Sequence, residues 1–334
     1  MGGVLLAGGF VAVELRSTSP LFDVRLLGNR AFGSGALSVA VQFLASFGMF
    51  YLLLQLLQLV FDYTPLQSAV ALMPFVAGVG LTTLIANWLA VRLDSLKFVI
   101  AAGALLSGVG LILLGSFKYE TYWTLAGVVA LIAVGIGLAS APATTAIMSN
   151  TPLDNQGVGS AVNDTAREIG AAIGIAIAGS IVAAGYQSRI GETAQLARDQ
   201  LTAAGEQRIA AGDTAGGQAM VAQADQAGTL IERSLAEATV VVDRLSGQAA
   251  SLAEKIADGS QEAFYVPFEY ACLVLGGIML VSSVALLWLT PRRVVEAYGE
   301  WFGGYAIDPD ASANLALSRR RRPAGCPTMA ARVR

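Results

Sequence analysis

Two groups of side chains stand out for the chemistry their types and spacing allow. The first is Asp164, Arg167 and Glu168, with Asn163 beside them, just ahead of the uncharged run Ile169 to Ser188. Steps of three and four residues put Asp164, Arg167 and Glu168 on one helical face, where they can partly pair with one another. Upstream, Gly157 and Gly159 expose backbone N–H groups near the start of the same helix, which favours a negatively charged partner. No P-loop lysine follows these glycines, so a nucleotide is not indicated. The second group is Phe43, Phe47, Tyr51, Gln55 and Gln58, spaced by four, four, four and three. Aromatic faces beside amides suit a large lipophilic cation. Ordinary hydrogen bonding between helices would use the glutamines equally well. Thr144, Thr145 and Asn87 are weaker ligand candidates.

The elements carrying these groups are of an unusual kind. The chain has 334 residues, is 55% hydrophobic and 13% charged, and has a mean hydropathy of +0.61. A soluble domain carries about 25% charged residues. Charge is absent from Ala31–Phe61, Tyr63–Val91, Phe98–Phe117, Thr121–Leu153, Ile169–Ser188 and Tyr270–Pro291. Each stretch reaches the roughly 20 apolar residues that a membrane-spanning helix needs. A large soluble helical core would need a polar stripe on each helix, and these runs carry almost none. The charged trio therefore sits at a membrane boundary, where charge is far cheaper than at the bilayer centre; a plain interfacial anchor also fits it. The glutamines of the second group should face protein or a water-filled cavity.

These spans predict helices near 33–60, 66–91, 97–117, 121–147, 158–185 and 267–290, with Pro74 and Pro142 interrupting the second and fourth. Gly170, Gly174 and Ala178 form a small-residue packing face, as do Gly103, Ser107 and Leu111 less well. Residues 1–14 are too short to cross and are expected to be the end of a preceding span. Residues 15–32 form a cytoplasmic linker, 33–185 five spans, 186–264 an external helical loop, 265–291 the last span and 292–334 a basic cytoplasmic tail. In the 186–264 segment, Leu235, Ala238, Val242, Leu245, Ala249, Leu252 and Ile256 fall at alternating steps of three and four, a stripe able to pack on a partner helix. "GDTAGG" reads as a turn, and a helical hairpin or a loose loop is expected. Short segments on one side hold Arg16, Arg25, Arg30, Arg92, Lys97 and Arg167 and the tail arginines, against Lys118 alone on the other. By the positive-inside rule both termini face the cytoplasm.

The chain lacks histidine, which removes histidine-dependent triads and metal sites. Cys272 in a helix and Cys326 in the tail do not suit a disulfide. No buried acid–base pair or nucleophile constellation points to an enzyme, and nothing implies a cofactor, a metal or nucleic acid.

The stretches "PLFDVRLLGNRAF", "YLLLQLLQLVFDYTPLQSAVALMPF" and "TPLDNQGVGSAVNDTAREIGAAIGIAIAGSI" resemble the 14-helix drug:proton antiporters of the major facilitator superfamily. The resemblance covers residues 1–190 and, by position, 265–295. It implies an all-α integral membrane fold: a six-helix bundle resembling the C-terminal half of such a transporter, with a long external helical insertion. It implies that the first full helix lines the substrate cavity. It also implies that the Asp164 cluster meets a gating loop of the other half. The family's proton-coupling acids and its hallmark motif belong to the first half and have no match here. In "NWLAVRLDSLKFV", Asn87, Val91 and Asp94 replace the family's gating-turn pattern.

Two functions are compatible with this reading. One is half of a proton-coupled efflux antiporter for lipophilic or cationic small molecules in the inner (plasma) membrane. That half is not competent alone, and a missing N-terminal half or a second chain completes it. The other is a non-transporting membrane protein whose external hairpin binds an envelope partner. A first half encoded next to this chain would favour transport.

Overall fold

The computed structural model describes residues 24–93, 95–119, 121–152, 155–246 and 249–291, with Gly8, Gly9 and Val13. Apart from Gly8, Gly9 and Val13, the expected preceding span at 1–14 lies outside these described residues, as do Arg16 of the linker, Asp94, the 292–334 tail and Cys326. The rest is helical: a turn at Val24–Gly28, α1 (Arg30–Gln55) continued by a π turn (Leu56–Val60), α2 (Pro65–Ala71), α3 (Met73–Arg92), α4 (Leu96–Ser116), α5 (Tyr122–Ser149), α6 (Gln156–Gln187), α7 (Gly191–Ala210), α8 (Thr214–Arg233), α9 (Leu235–Leu245) and α10 (Ala250–Leu289).

Local chemistry sets the boundaries. Asn29 caps α1, its side chain accepting from the N–H groups of Ala31 and Phe32 at 2.9 and 3.3 Å. Thr64 and Gln67 form a reciprocal capping box, and Pro65 occupies the first turn of α2. Asp213 and Ser234 cap α8 and α9.

Six helical stretches are long and apolar enough to cross a membrane: Arg30–Val60, Pro65–Ala90, Leu96–Ser116, Tyr122–Ser149, Gln156–Gln187 and Ala250–Leu289. α1 lies at the centre, packed on α6, α5 and α10. α4 lies between α5 and α10, and α3 lies on α5. In lipid no hydrophobic drive separates helix from solvent, so close backbone approach carries association. The expected small-residue faces do this. A Cβ at Gly170 would strike the Ala40 carbonyl, and one at Gly174 the Leu44 carbonyl. Gly103 and Gly135 bring α4 onto α5 in the same way.

The prolines behave differently from one another. The second span does break, at Leu72, two residues before Pro74. Pro142 is buried inside α5, which runs on unbroken.

Between α6 and the apolar part of α10 stands the polar insertion. α7 and α8 form an antiparallel hairpin closed at Gly212, whose φ of 96° suits only glycine. The "GDTAGG" turn is thus shorter than its sequence, since Ala215–Gly217 already lie in α8. The expected 235–256 stripe is divided: Leu235 and Ala238 are buried on α9, Leu252 and Ile256 on α10. α10 begins well before the expected last span and runs straight through Pro267. The insertion is attached to the bundle. The buried Tyr186 hydroxyl on α6 donates to the Ile231 carbonyl on α8 at 3.1 Å, and Gly185 lies against Pro267.

Candidate functional site

The aromatic stripe is real as geometry. On α1, Phe43 and Phe47 stack with ring centroids 5.9 Å apart; Phe47 meets Phe50 edge-on at 6.1 Å, and Phe50 meets Phe75 of α3 at 4.8 Å. Phe50 and Phe75 extend a run that spacing alone ended on α1. Phe47 is 37% exposed, a large ring left uncovered in mid-helix. Tyr51 is half-buried, with its ring against Gly179 of α6. Gln55 is half-buried at the end of α1. Gln58 falls in the π turn, which moves it off the regular four-residue face. Neither glutamine side chain has a hydrogen bond among the described residues.

The charged cluster meets this stripe. Arg167 lies with Cζ 5.3 Å from the Phe43 ring centroid, a cation–π contact. Its pairing with Asp164 is loose, at 3.9 Å, beyond hydrogen-bond range. Its Nε is buried and has no acceptor. Glu168 is exposed and makes no ion pair among the described residues. Asn163 is buried, and its Oδ1 accepts a long 3.4 Å contact from the Thr144 hydroxyl on α5. Thr145, one step round the helix, is exposed and does not join them. Gly157 is open, whereas Gly159 is buried against the Thr151 side chain, so its missing Cβ serves packing. Phe47, Phe43, Arg167 and Asp164 thus form one run of contacts between α1 and α6, and Thr144 and Asn163 form a separate pair between α5 and α6. Tyr51, Gln55 and Gln58 lie farther along α1.

One polar centre escaped the spacing argument. Gln42 is 2% exposed and donates to the Ser38 hydroxyl at 2.7 Å, while Ser140 of α5 donates to its Oε1 at 2.8 Å. Ser38, Gln42 and Ser46 recur every four residues, a signal legible in the sequence but lying one residue off the aromatic stripe.

Six apolar helices closed around such a core, with polar groups joined across it, define an all-α multi-pass membrane protein. The sequence profile described as Major Facilitator Superfamily matches residues 7–175, half of the chain. The chain belongs to that superfamily. It is 30% identical over 175 residues to the multidrug resistance protein Stp of Mycobacterium tuberculosis, covering 52% of this chain and 32% of Stp. It is 30% identical over 189 residues to the methyl viologen resistance protein SmvA of Salmonella typhimurium, covering 56% and 38%. It is 28% identical over 207 residues to the multidrug efflux pump LfrA of Mycolicibacterium smegmatis, covering 61% and 40%. These matches span 32% to 40% of the relatives' lengths.

Proposed function

We propose that this chain supplies one six-helix half of a proton-driven efflux transporter for lipophilic, cationic small molecules. The observation that carries the reading is Arg167 stacked on Phe43 at one end of an aromatic run. That contact links the boundary cluster to the face best suited to a cation. The relatives named for resistance to multiple drugs and to methyl viologen, a dication, support the same substrate class.

Alternating access in such transporters rocks one half against another around a site near the midplane. Arg167 suits a switch in that cycle. Its guanidinium covers the Phe43 face, its ion pair is loose and its Nε lacks an acceptor. An anionic or carbonyl acceptor from the opposite half draws the guanidinium away and frees the ring for a cationic substrate. Proton coupling belongs to groups outside this chain. The uncharged stretches hold no Asp, Glu, Lys or Arg, and the chain has no His, while membrane proton relays are built from such groups. The distribution of basic residues supports an orientation with both termini in the cytoplasm and the insertion outside.

The alternative, an envelope partner bound to the insertion, has less support. Among the described residues of α7, α8 and α9, the exposed large hydrophobics are the isolated Leu196 and Val240, and a docking surface needs a contiguous patch.

The test joins the chain to a complementary half and measures a resistance profile. Phe47→Ala and Gln55→Ala should change which cations are exported at unchanged protein level. Unchanged profiles in both variants would remove the stripe from the pathway. Alone in liposomes under a pH gradient, the chain should move no ethidium; gradient-dependent transport by it would overturn the half-transporter reading.

A further inference from the structure

α1 ends irregularly where it meets the insertion. Its last turn, Leu56–Val60, is π-helical, and beyond it the Tyr63 N–H turns back to the Leu57 carbonyl at 2.9 Å. Asp62 sits inside that reversal with a φ of 52°, in the left-handed region that favours glycine. Both features are uncommon, and such conformations persist where their surroundings over-determine them. Part of that support is the bundle, which buries Leu56 and Leu57. Leu59 is half-buried and borders the insertion instead.

On that side the turn is covered by α9, a helix of 11 residues against 20 in each of α7 and α8. Leu235 and Val242 of α9 line, together with Leu59, a cavity of about 130 Å³. Asp62 and Asp243 at its rim are exposed, so it is open to solvent. One water needs on the order of 10–15 Å³ of such space, so this seat is underfilled. The hairpin beside it is held far more firmly. The buried Tyr186 hydroxyl of α6 donates to the Ile231 carbonyl in the last turn of α8, and the buried Ser260 hydroxyl of α10 is turned to Tyr186. From that fixed point the chain passes to α9 through Ser234, an extended residue between two helices (φ −165°, ψ 158°). A short helix over a wet gap, joined to an anchored helix by one extended residue, is an element that opens locally at low free energy.

We propose that α9 is a hinged cover on the π turn, and that its seating sets the helical register at the end of α1. Seated, it supports the π turn and keeps Gln58 off the face of Tyr51 and Gln55. Lifted, it removes that support, and the turn relaxes to α-helical register. The Phe61 N–H then passes from the Leu56 carbonyl, its present acceptor at 3.1 Å, to the Leu57 carbonyl. Gln58 moves to the side of Tyr51 and Gln55, where a regular helix puts these positions. The cover thereby adds an amide to the aromatic run or withdraws it. Its consequence for transport rests on that run lining the substrate pathway, as proposed above; the register change does not.

The test uses the full chain in detergent and two substitutions on α9. Val242→Asp puts a charge in the seat, whereas Val240→Asp puts it on the outward side, where Val240 is 44% exposed. In the unaltered chain, amides of residues 56–63 and 235–245 should exchange with deuterium faster than those of 214–233. Val242→Asp should speed exchange at 56–63 by about tenfold or more. In a Gln58→Cys background it should also change the labelling rate of that cysteine, read by mass spectrometry of the same peptide. Val240→Asp should do neither. Exchange at 56–63 that ignores Val242→Asp would overturn the proposal, and so would equal effects of the two substitutions. If Val242→Asp fails to fold, Val242→Ala against Val240→Ala makes the same comparison. Joined to a complementary half, Val242→Asp should shift the resistance profile, and Gln58→Ala should cancel the shift. A register change without any shift would remove the stripe from the pathway and leave the cover standing.

Discussion

At the α1–α6 seam, Gly170 and Gly174 let a helix rest on the carbonyls of Ala40 and Leu44. At the α7–α8 seam, Gly205 and Gly217 do the same for each other, flanked by buried Ala197, Leu201, Ala224 and Ile231. The two seams are chemically alike; their outer faces are not. α6 turns Ile169, Ile173 and Ile175 outward. α7 and α8 turn out Glu192, Asp199, Gln200, Glu206 and Asp225. The seam records how near two helices must come, and the outward face records the solvent. Small residues at four-residue spacing therefore do not by themselves mark a membrane helix.

The comparison is broken most severely at the bundle seam. Gly174→Leu should destabilise the bundle by more than about 3 kcal/mol, because a backbone carbonyl has nowhere to move. Loss of monodisperse protein on size-exclusion chromatography is the readout, and an undiminished peak would show that α6 can slide. The outward faces come next. Ile173→Asp should cost about 3 kcal/mol if that face meets hydrocarbon and reduce the membrane-inserted yield. The same charge placed by Gln200→Asp on α7 should change stability by less than about 0.5 kcal/mol. Equal effects would mean that the faces share one environment.

The smallest effect concerns the ion pair across the hairpin. Arg198 donates to Glu232 at 2.7 Å, with the two side chains 22% and 44% exposed. This hydrogen bond, ahead of the opposing effect of burial, holds the Glu232 carboxyl below its ordinary pKa and raises that of Arg198. A lowered carboxyl pKa stabilises the fold above the unfolded value, and the gain is lost as pH falls through the folded one. Partly exposed pairs are worth about 0–1 kcal/mol. Pulse proteolysis of the insertion between about pH 6 and pH 3, below the ordinary carboxylate value, should show a loss of protection that Glu232→Gln flattens. Identical profiles would leave the pair without a stabilising role.

The six spans were legible because uncharged length is a strong signal, and it needs no knowledge of neighbours. Helix-packing glycines were legible for a related reason, since their spacing is fixed by the helix itself. What eluded the sequence depended on register or on distant partners. The π turn displaced Gln58 from its stripe, and nothing in "QLLQLV" announces it. The division of the 235–256 stripe between α9 and α10 leaves its periodicity almost intact, so periodicity could not reveal the break. Arg167 and Phe43 were each singled out, but their meeting required α6 to lie across α1. Gln42 was visible as a residue, and its burial became clear only with Ser140 opposite.

The continuity of α10 has a mechanical consequence. The helix holds Leu252 and Ile256 in the insertion and Met279 and Leu286 in the bundle without an intervening joint. At about 1.5 Å per residue, the stretch from Ala250 to Tyr265 is an arm of roughly 23 Å. A tilt of about 10° at its root would sweep its tip by about 4 Å over that length. Spectroscopic labels on the accessible surface of α7 and α8 would then act as a pointer, magnifying a motion of the bundle that is itself too small and too deep to observe.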